Sequence, residues 1–206
     1  MSMSNARICV AAAVLAVAAT AGCSSDNTTS PSSSASSAAS TSAAAASTSD
    51  AAQPSPALGQ TGDYTAALIK ASDIGPDFTG YGQPTQNAGG LPGVGQSFNN
   101  ADGSRIVVAS VLVLADPAAA EQAVTTHPFP KVNNPAPQPF EVGTKGQIAT
   151  GMSPDNTKSV TEVVFGEGRA AVNLVFMNAP DSPPAPDFVL DVARKQDQAV
   201  KSGLPS

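Results

Sequence analysis

The 206 residues contain no tryptophan, one histidine and two cysteines, Cys9 and Cys23. These shortages exclude a good deal. Zinc and copper sites draw on several His or Cys ligands, and from residue 63 onward the chain offers His127 alone. No disulfide can staple that stretch, so its stability must come from packing. Basic residues are also few. Between residues 63 and 206, 14 acidic side chains against 9 basic ones leave a charge of −5, with no basic cluster. That balance argues against nucleic acid as a partner and against electrostatic docking on anionic lipid. No apolar run reaches the roughly 20 residues that span a bilayer.

Catalytic motifs are missing as well. The nucleophile elbow G-x-S-x-G is absent, since "GMSPD" has Asp155 where the second glycine belongs, and no S-x-x-K occurs. "GGLPGVGQS" lacks the G-K-[S/T] ending of a phosphate loop, and Gly93-Val94-Gly95 has no third glycine three residues on, so it reads as a surface turn. Asp181, Asp187 and Asp191 have no calcium-loop spacing. Acidic residues beside a helix N-terminus already have a reason to be there. His127 sits in "THPFP", where Pro128 limits its torsions; it reads as a loop residue in solvent or against proline. The expectation is a protein that is not an enzyme and holds no cofactor or metal.

What is present begins with an address. Arg7 is the only charge before an apolar run from Ile8 to Ala19, and small residues follow. That pattern fits a signal peptide over residues 1–22. Ala19-Thr20-Ala21 would release a soluble protein starting at Gly22. Thr20-Ala21-Gly22-Cys23 instead resembles the bacterial lipobox, with Thr20 where an aliphatic residue is usual, and Cys23 as the lipidation site. An unpaired cysteine in an exported chain favours the second reading. Two acyl chains satisfy the two-signal requirement for stable anchoring. The expected location is the extracytoplasmic face of the cell membrane, with the membrane engaged through the lipid anchor.

From Ser24 to about Gly62 the chain is Ser, Ala, Thr and Pro with almost nothing large and apolar. It cannot bury enough surface to offset the entropy of ordering, which predicts a disordered tether over residues 23–62. Such a linker spans on the order of 35 Å r.m.s. and at most about 130 Å. Ser and Thr mixed with Pro also suit O-glycosylation.

Residues 63–206 form one domain by length and patterning. "YTAALIKASDIG" predicts a short helix or a strand with a helical turn, and a Gly/Pro/Asn/Gln loop follows it. "GQSFNNADGSRIVVASVLVL" predicts a hairpin turning at Asn100–Gly103, with Ile106 to Leu114 apolar on both faces. Asp116 is a natural N-cap with Pro117 at the first position of the next helix. The Pro-rich "HPFPKVNNPAPQPF" breaks regular structure, and its Phe129 and Phe140 offer a surface for a protein partner. Three strands follow, with turns at Ser153–Asn156 and Gly166–Gly168. Phe188, Val192, Ala193, Gln196, Ala199 and Val200 recur at helical spacing in a last helix, which Gly203 is placed to end. The order α-β-β-α-β-β-β-α predicts an α+β fold, a mainly antiparallel sheet of about five strands with helices packed on a face.

"ALIKASDI", "ADGSRIVVASVLVLADPAAAEQAV" and "DFVLDVARKQDQAVKSGL" together resemble secreted and lipid-anchored mycobacterial cell-envelope lipoproteins. More distantly they are similar to the extracellular sensor domain of mycobacterial transmembrane Ser/Thr kinases. The resemblance implies an α+β domain outside the membrane with a ligand-binding role, and it supplies no catalytic residues. Should the helices leave part of the sheet uncovered, Leu112, Leu114, Leu174 and Phe176 would line a slot for an envelope lipid or glycolipid. The alternative for the same residues is an ordinary core. Functionally, the sequence points to a non-catalytic binding or sensing domain, with a lipid or glycolipid carrier as the other reading.

Overall fold

The computed structural model describes residues 57–204. The expected signal peptide, Cys23 and the greater part of the expected tether lie outside them. Residues 57–59, assigned above to the tether, are tied to the end of a strand. Gly59 N–H donates to the Val113 carbonyl at 2.9 Å, and Ala115 N–H donates to the Ala57 carbonyl at 3.0 Å.

The elements in chain order are α1 (Ala71–Ile74), β1 (Phe78–Gln86), β2 (Gly93–Asn100), β3 (Ile106–Val113), α2 (Pro117–Thr125), β4 (Gln138–Pro139), β5 (Thr144–Met152), β6 (Ser159–Glu167), β7 (Ala170–Asn178) and α3 (Pro186–Gly203). The α+β class holds, but the sheet has seven strands in the order β1-β2-β3-β7-β6-β5-β4, every neighbouring pair antiparallel. The two strands beyond the expected five are its edges. β1 carries Pro84, breaks register between Tyr81 and Thr85, and buries only Phe78; β4 is two residues ending in Pro139. Proline and irregular pairing are what edges tolerate and what blunts them against a further strand.

Two meanders, β1-β2-β3 and β4 to β7, are joined by α2 and the Pro-rich segment. That crossover leaves the centre of the sheet at β3 and lands at its far edge, so it runs over β7, β6 and β5 on one face only. The other face is covered by α3 with α1. Thus helices lie on both faces rather than one.

The α3 face holds the larger core: Val107, Val111, Val163, Phe165, Leu174 and Phe176 of the strands meet Val189, Val192, Ala193 and Val200 of α3. Gln196 lies in this core with no exposed surface, its Nε2 donating to the Ala67 carbonyl at 2.7 Å and its Oε1 accepting from Ile69 N–H at 3.0 Å. Both ends of the amide are used, which removes the penalty of burying it. Gly203 is the last residue of α3 rather than a cap beyond it. A Cβ there would stand 2.2 Å from the Ala66 carbonyl oxygen, so close approach is the reason for glycine. The α2 face holds a second core, Val124, Phe129, Val132, Ala149, Val160, Val164 and Val175. Asp116 caps α2 as expected, accepting from Ala119 N–H at 2.8 Å. Among the described residues no helix is long and apolar enough to cross a membrane.

Candidate functional site

Because the crossover covers only the β5–β7 side, the β1–β3 half of the α2 face stays open. A groove of about 540 Å³ lies there. Side-chain alternation supplies its floor: Ser97 pairs with Val108, Gly95 with Ser110 and Gly93 with Leu112, and residues so paired share a face. Gly93 keeps this floor flat. Its φ is 153°, and a Cβ would stand 2.1 Å from the Val111 carbonyl oxygen. The rim carries Tyr81, 73% exposed, and Leu91, also exposed. Gln83 and Thr85 add amide and hydroxyl groups, and no charged residue lines the groove. A floor mixing Val108 and Leu112 with two serines, under a neutral polar rim, suits an uncharged amphipathic ligand.

Of the four residues expected to line a slot, Leu112 lines this groove. The other three lie elsewhere. Leu114 is buried beneath α2 with Ala119 and Ala120, and Leu174 and Phe176 are buried in the α3 core. The alternation that puts Leu112 on the open face puts Leu174 and Phe176 on the covered one. The Pro-rich segment does not present its aromatics: Phe129 is buried and Phe140 packs partly buried against the α3 core.

Beside the groove, across the β3–β7 pairing, lies a polar cluster that sequence reading missed. Asn173 pairs directly with Ser110 of the groove floor. Asn173 Nδ2 donates to Glu162 Oε1 at 2.9 Å, and His127 Nε2 meets the same oxygen at 2.9 Å. Lys131 N–H donates to the other carboxylate oxygen, Oε2, at 3.0 Å. His127 is therefore not a solvent-facing loop residue: its side chain is 22% exposed and its ring packs edge-on against Phe129 at 5.0 Å. Glu162 is 1% exposed. Burial pushes its carboxyl up, but hydrogen bonds from His127, Asn173 and the Lys131 backbone outweigh that and hold it below the ordinary glutamate range. With Glu162 anionic, Nε2 carries the imidazole proton. Asn173 Nδ2 and His127 Nε2, 3.1 Å apart, are then two donors converging on one acceptor. The available signal was Glu162, a charge in the middle of a strand whose other charge, Glu167, sits at its end; its partner lies 35 residues away.

This cluster shows no hydroxyl bonded to the imidazole. Among the described residues no three His, Cys, Asp or Glu side chains gather as they would around a metal. A second hollow of about 430 Å³, where the β6–β7 turn meets α2 and α3, is lined by Glu167, Arg169 and Lys201 among others. Lys201 there is held by Asp197 at 2.6 Å and Glu167 at 3.5 Å.

No protein-family model and no curated protein matches the chain. Among solved structures, the fold is similar to the extracellular domain of PknH from Mycobacterium tuberculosis, with a TM-score of 0.50 and 12% identity over 69% of this chain and 98% of that one. The likeness is one of fold, in line with the resemblance to kinase sensor domains. The resemblance to envelope lipoproteins has no counterpart in these comparisons.

Proposed function

We propose that this chain is a cell-envelope lipoprotein whose extracytoplasmic domain binds or senses a ligand without catalysis, and that the groove over β1–β3 is the binding site. The observation that carries the reading is the open half-face itself: seven strands are built, and the crossover covers one side of three of them, β5, β6 and β7. The likeness to the extracellular domain of PknH supports an extracytoplasmic domain of this fold. Cys23 anchors the chain, and the Ser/Ala/Thr/Pro segment gives the domain reach.

Native mass spectrometry of protein purified from its own envelope tests the site. A stoichiometric bound molecule is expected, and Ser110→Trp, which fills the groove floor, should remove it while leaving the melting temperature within a few degrees. An empty protein, or a ligand that survives Ser110→Trp, defeats the assignment. Cys23→Ser should release the chain from the membrane fraction and abolish any added acyl mass. Turnover of an envelope substrate that disappears in His127→Ala would overturn the non-catalytic part.

The second reading, a carrier of a lipid or glycolipid, is favoured by one feature: Val108 and Leu112 on the floor beside neutral hydrogen-bonding side chains and no charge. It predicts that the bound molecule transfers to acceptor vesicles, whereas a sensor retains it.

A further inference from the structure

We propose that residues 127–132 form a releasable strap, latched on Glu162, and that its release lengthens the groove from β3 across β7 and β6. The strap touches the sheet through two inward pegs, Phe129 and Val132, both buried among exposed neighbours. Between and around them, the single carboxylate of Glu162 accepts from both ends of the strap: from the His127 ring at one oxygen and Lys131 N–H at the other. One side chain thus fastens the segment at two points.

What lies beneath continues the groove floor. Val108 lines the groove and also packs against the cluster that holds Phe129 and Val132. Its partner across β3–β7 is Val175, and the partner of Ser110 is Asn173. With the strap lifted, Val175 and Val164 would extend the floor by two strand spacings, about 10 Å. The strap is also strained. Phe129, between two prolines, has φ of 51°, a left-handed conformation that bulky residues rarely adopt and that persists only when its surroundings enforce it. Cutting the latch therefore removes one of the forces that hold an unfavourable backbone in place.

Protonation of Glu162 is the trigger, since a neutral carboxyl is a weaker acceptor for all of its donors. Because the folded carboxyl sits below its ordinary value, the latch is closed at neutral pH and opens as pH falls through that depressed value. The groups facing Glu162 are few. His127 follows α2 and is the one titratable side chain bonded to it; Asn173 on β7 and the Lys131 backbone are neutral donors; its register partners, Ala149 on β5 and Val175 on β7, carry no charge. The inference gains its meaning from the groove as a site, but its test needs no ligand.

The test compares two buried positions by thiol labelling in the intact chain, with Cys9 and Cys23 replaced by serine. Val164→Cys lies under the strap and Val107→Cys lies on the α3 face; 4,4′-dithiodipyridine reacts with either even in acid, and the ratio of rates cancels the chemistry. Glu162→Gln should raise the 164-to-107 ratio about tenfold at neutral pH, the worth of roughly one net hydrogen bond to a charged group. Acid should do the same to the chain that keeps Glu162. A ratio unmoved by Glu162→Gln, or two positions that open together, overturns the strap. If Glu162→Gln does not fold, His127→Ala, which frees one end only, is judged by the same ratio.

Discussion

The two faces of the sheet solve the same burial problem by different chemistry. Each hides one large polar side chain. On the α3 face it is Gln196, neutral, whose amide closes a two-way bridge to the backbone of residues 67–69. On the α2 face it is Glu162, charged, whose carboxylate gathers donors from a loop and a neighbouring strand. A neutral amide satisfied at both ends is indifferent to pH, whereas a buried carboxylate keeps its worth only while ionised. The face with an amide is packed by the 18-residue α3 together with α1, and the face with a carboxylate is half open and bears the groove.

The sharpest way to break this contrast is to empty the α3 core. Phe176→Ala should cost about 3–5 kcal/mol, measured by urea unfolding, because a buried ring leaves a cavity the sheet cannot close. A loss below about 1 kcal/mol would mean Phe176 faces a slot and not a core. Next, Gln196→Leu should cost about 2–4 kcal/mol, since it strands a buried carbonyl and a buried N–H at about 1–3 kcal/mol each, partly offset by the burial of the leucine side chain. That loss should be the same at pH 5 and pH 8.

Glu162→Gln should cost less, about 1.5–3 kcal/mol, one charge-assisted hydrogen bond exchanged for an amide with one donor misplaced. Its signature is in pH. A carboxyl whose folded value is depressed adds stability that is present above the unfolded value and lost as pH falls through the folded one. The wild-type chain should therefore lose stability across the acid range below the ordinary glutamate value, and Glu162→Gln should flatten that limb. Equal acid sensitivity in both proteins would show that Glu162 has no part in it. The smallest effect belongs to the surface. Arg105 pairs with Asp77 and lies over the Phe78 ring at 5.1 Å, yet both charged partners are more than a third exposed. Arg105→Ala should shift stability by no more than about 1 kcal/mol, and less still in high salt.

How much of this was written in the chain varies by element. The hairpin of β2 and β3, the Asp116 cap, the three strands β5–β7 and the apolar stripe of α3 were legible because their signals are local: turn residues, caps and helical spacing. β1 was not. An edge strand that buries only its first residue has no alternation to read, and its Gly82 and Pro84 look like loop. Nor could local patterning separate Leu112 from Leu174. Both sit in strands apolar on two sides, and only the path of the crossover decides which side is left uncovered.

Composition and spacing by themselves determined the class of fold, the core helix, the absence of a cysteine- or histidine-rich site and the expectation of an anchored, exported chain. These depend on interactions between residues a few positions apart, or on what a residue type can do at all. The open half-face, the groove and the meeting of His127 with Glu162 were decided by tertiary structure alone. They arise from contacts between strands and loops tens of residues apart, where the direction of one crossover sets what is covered and what is left in water.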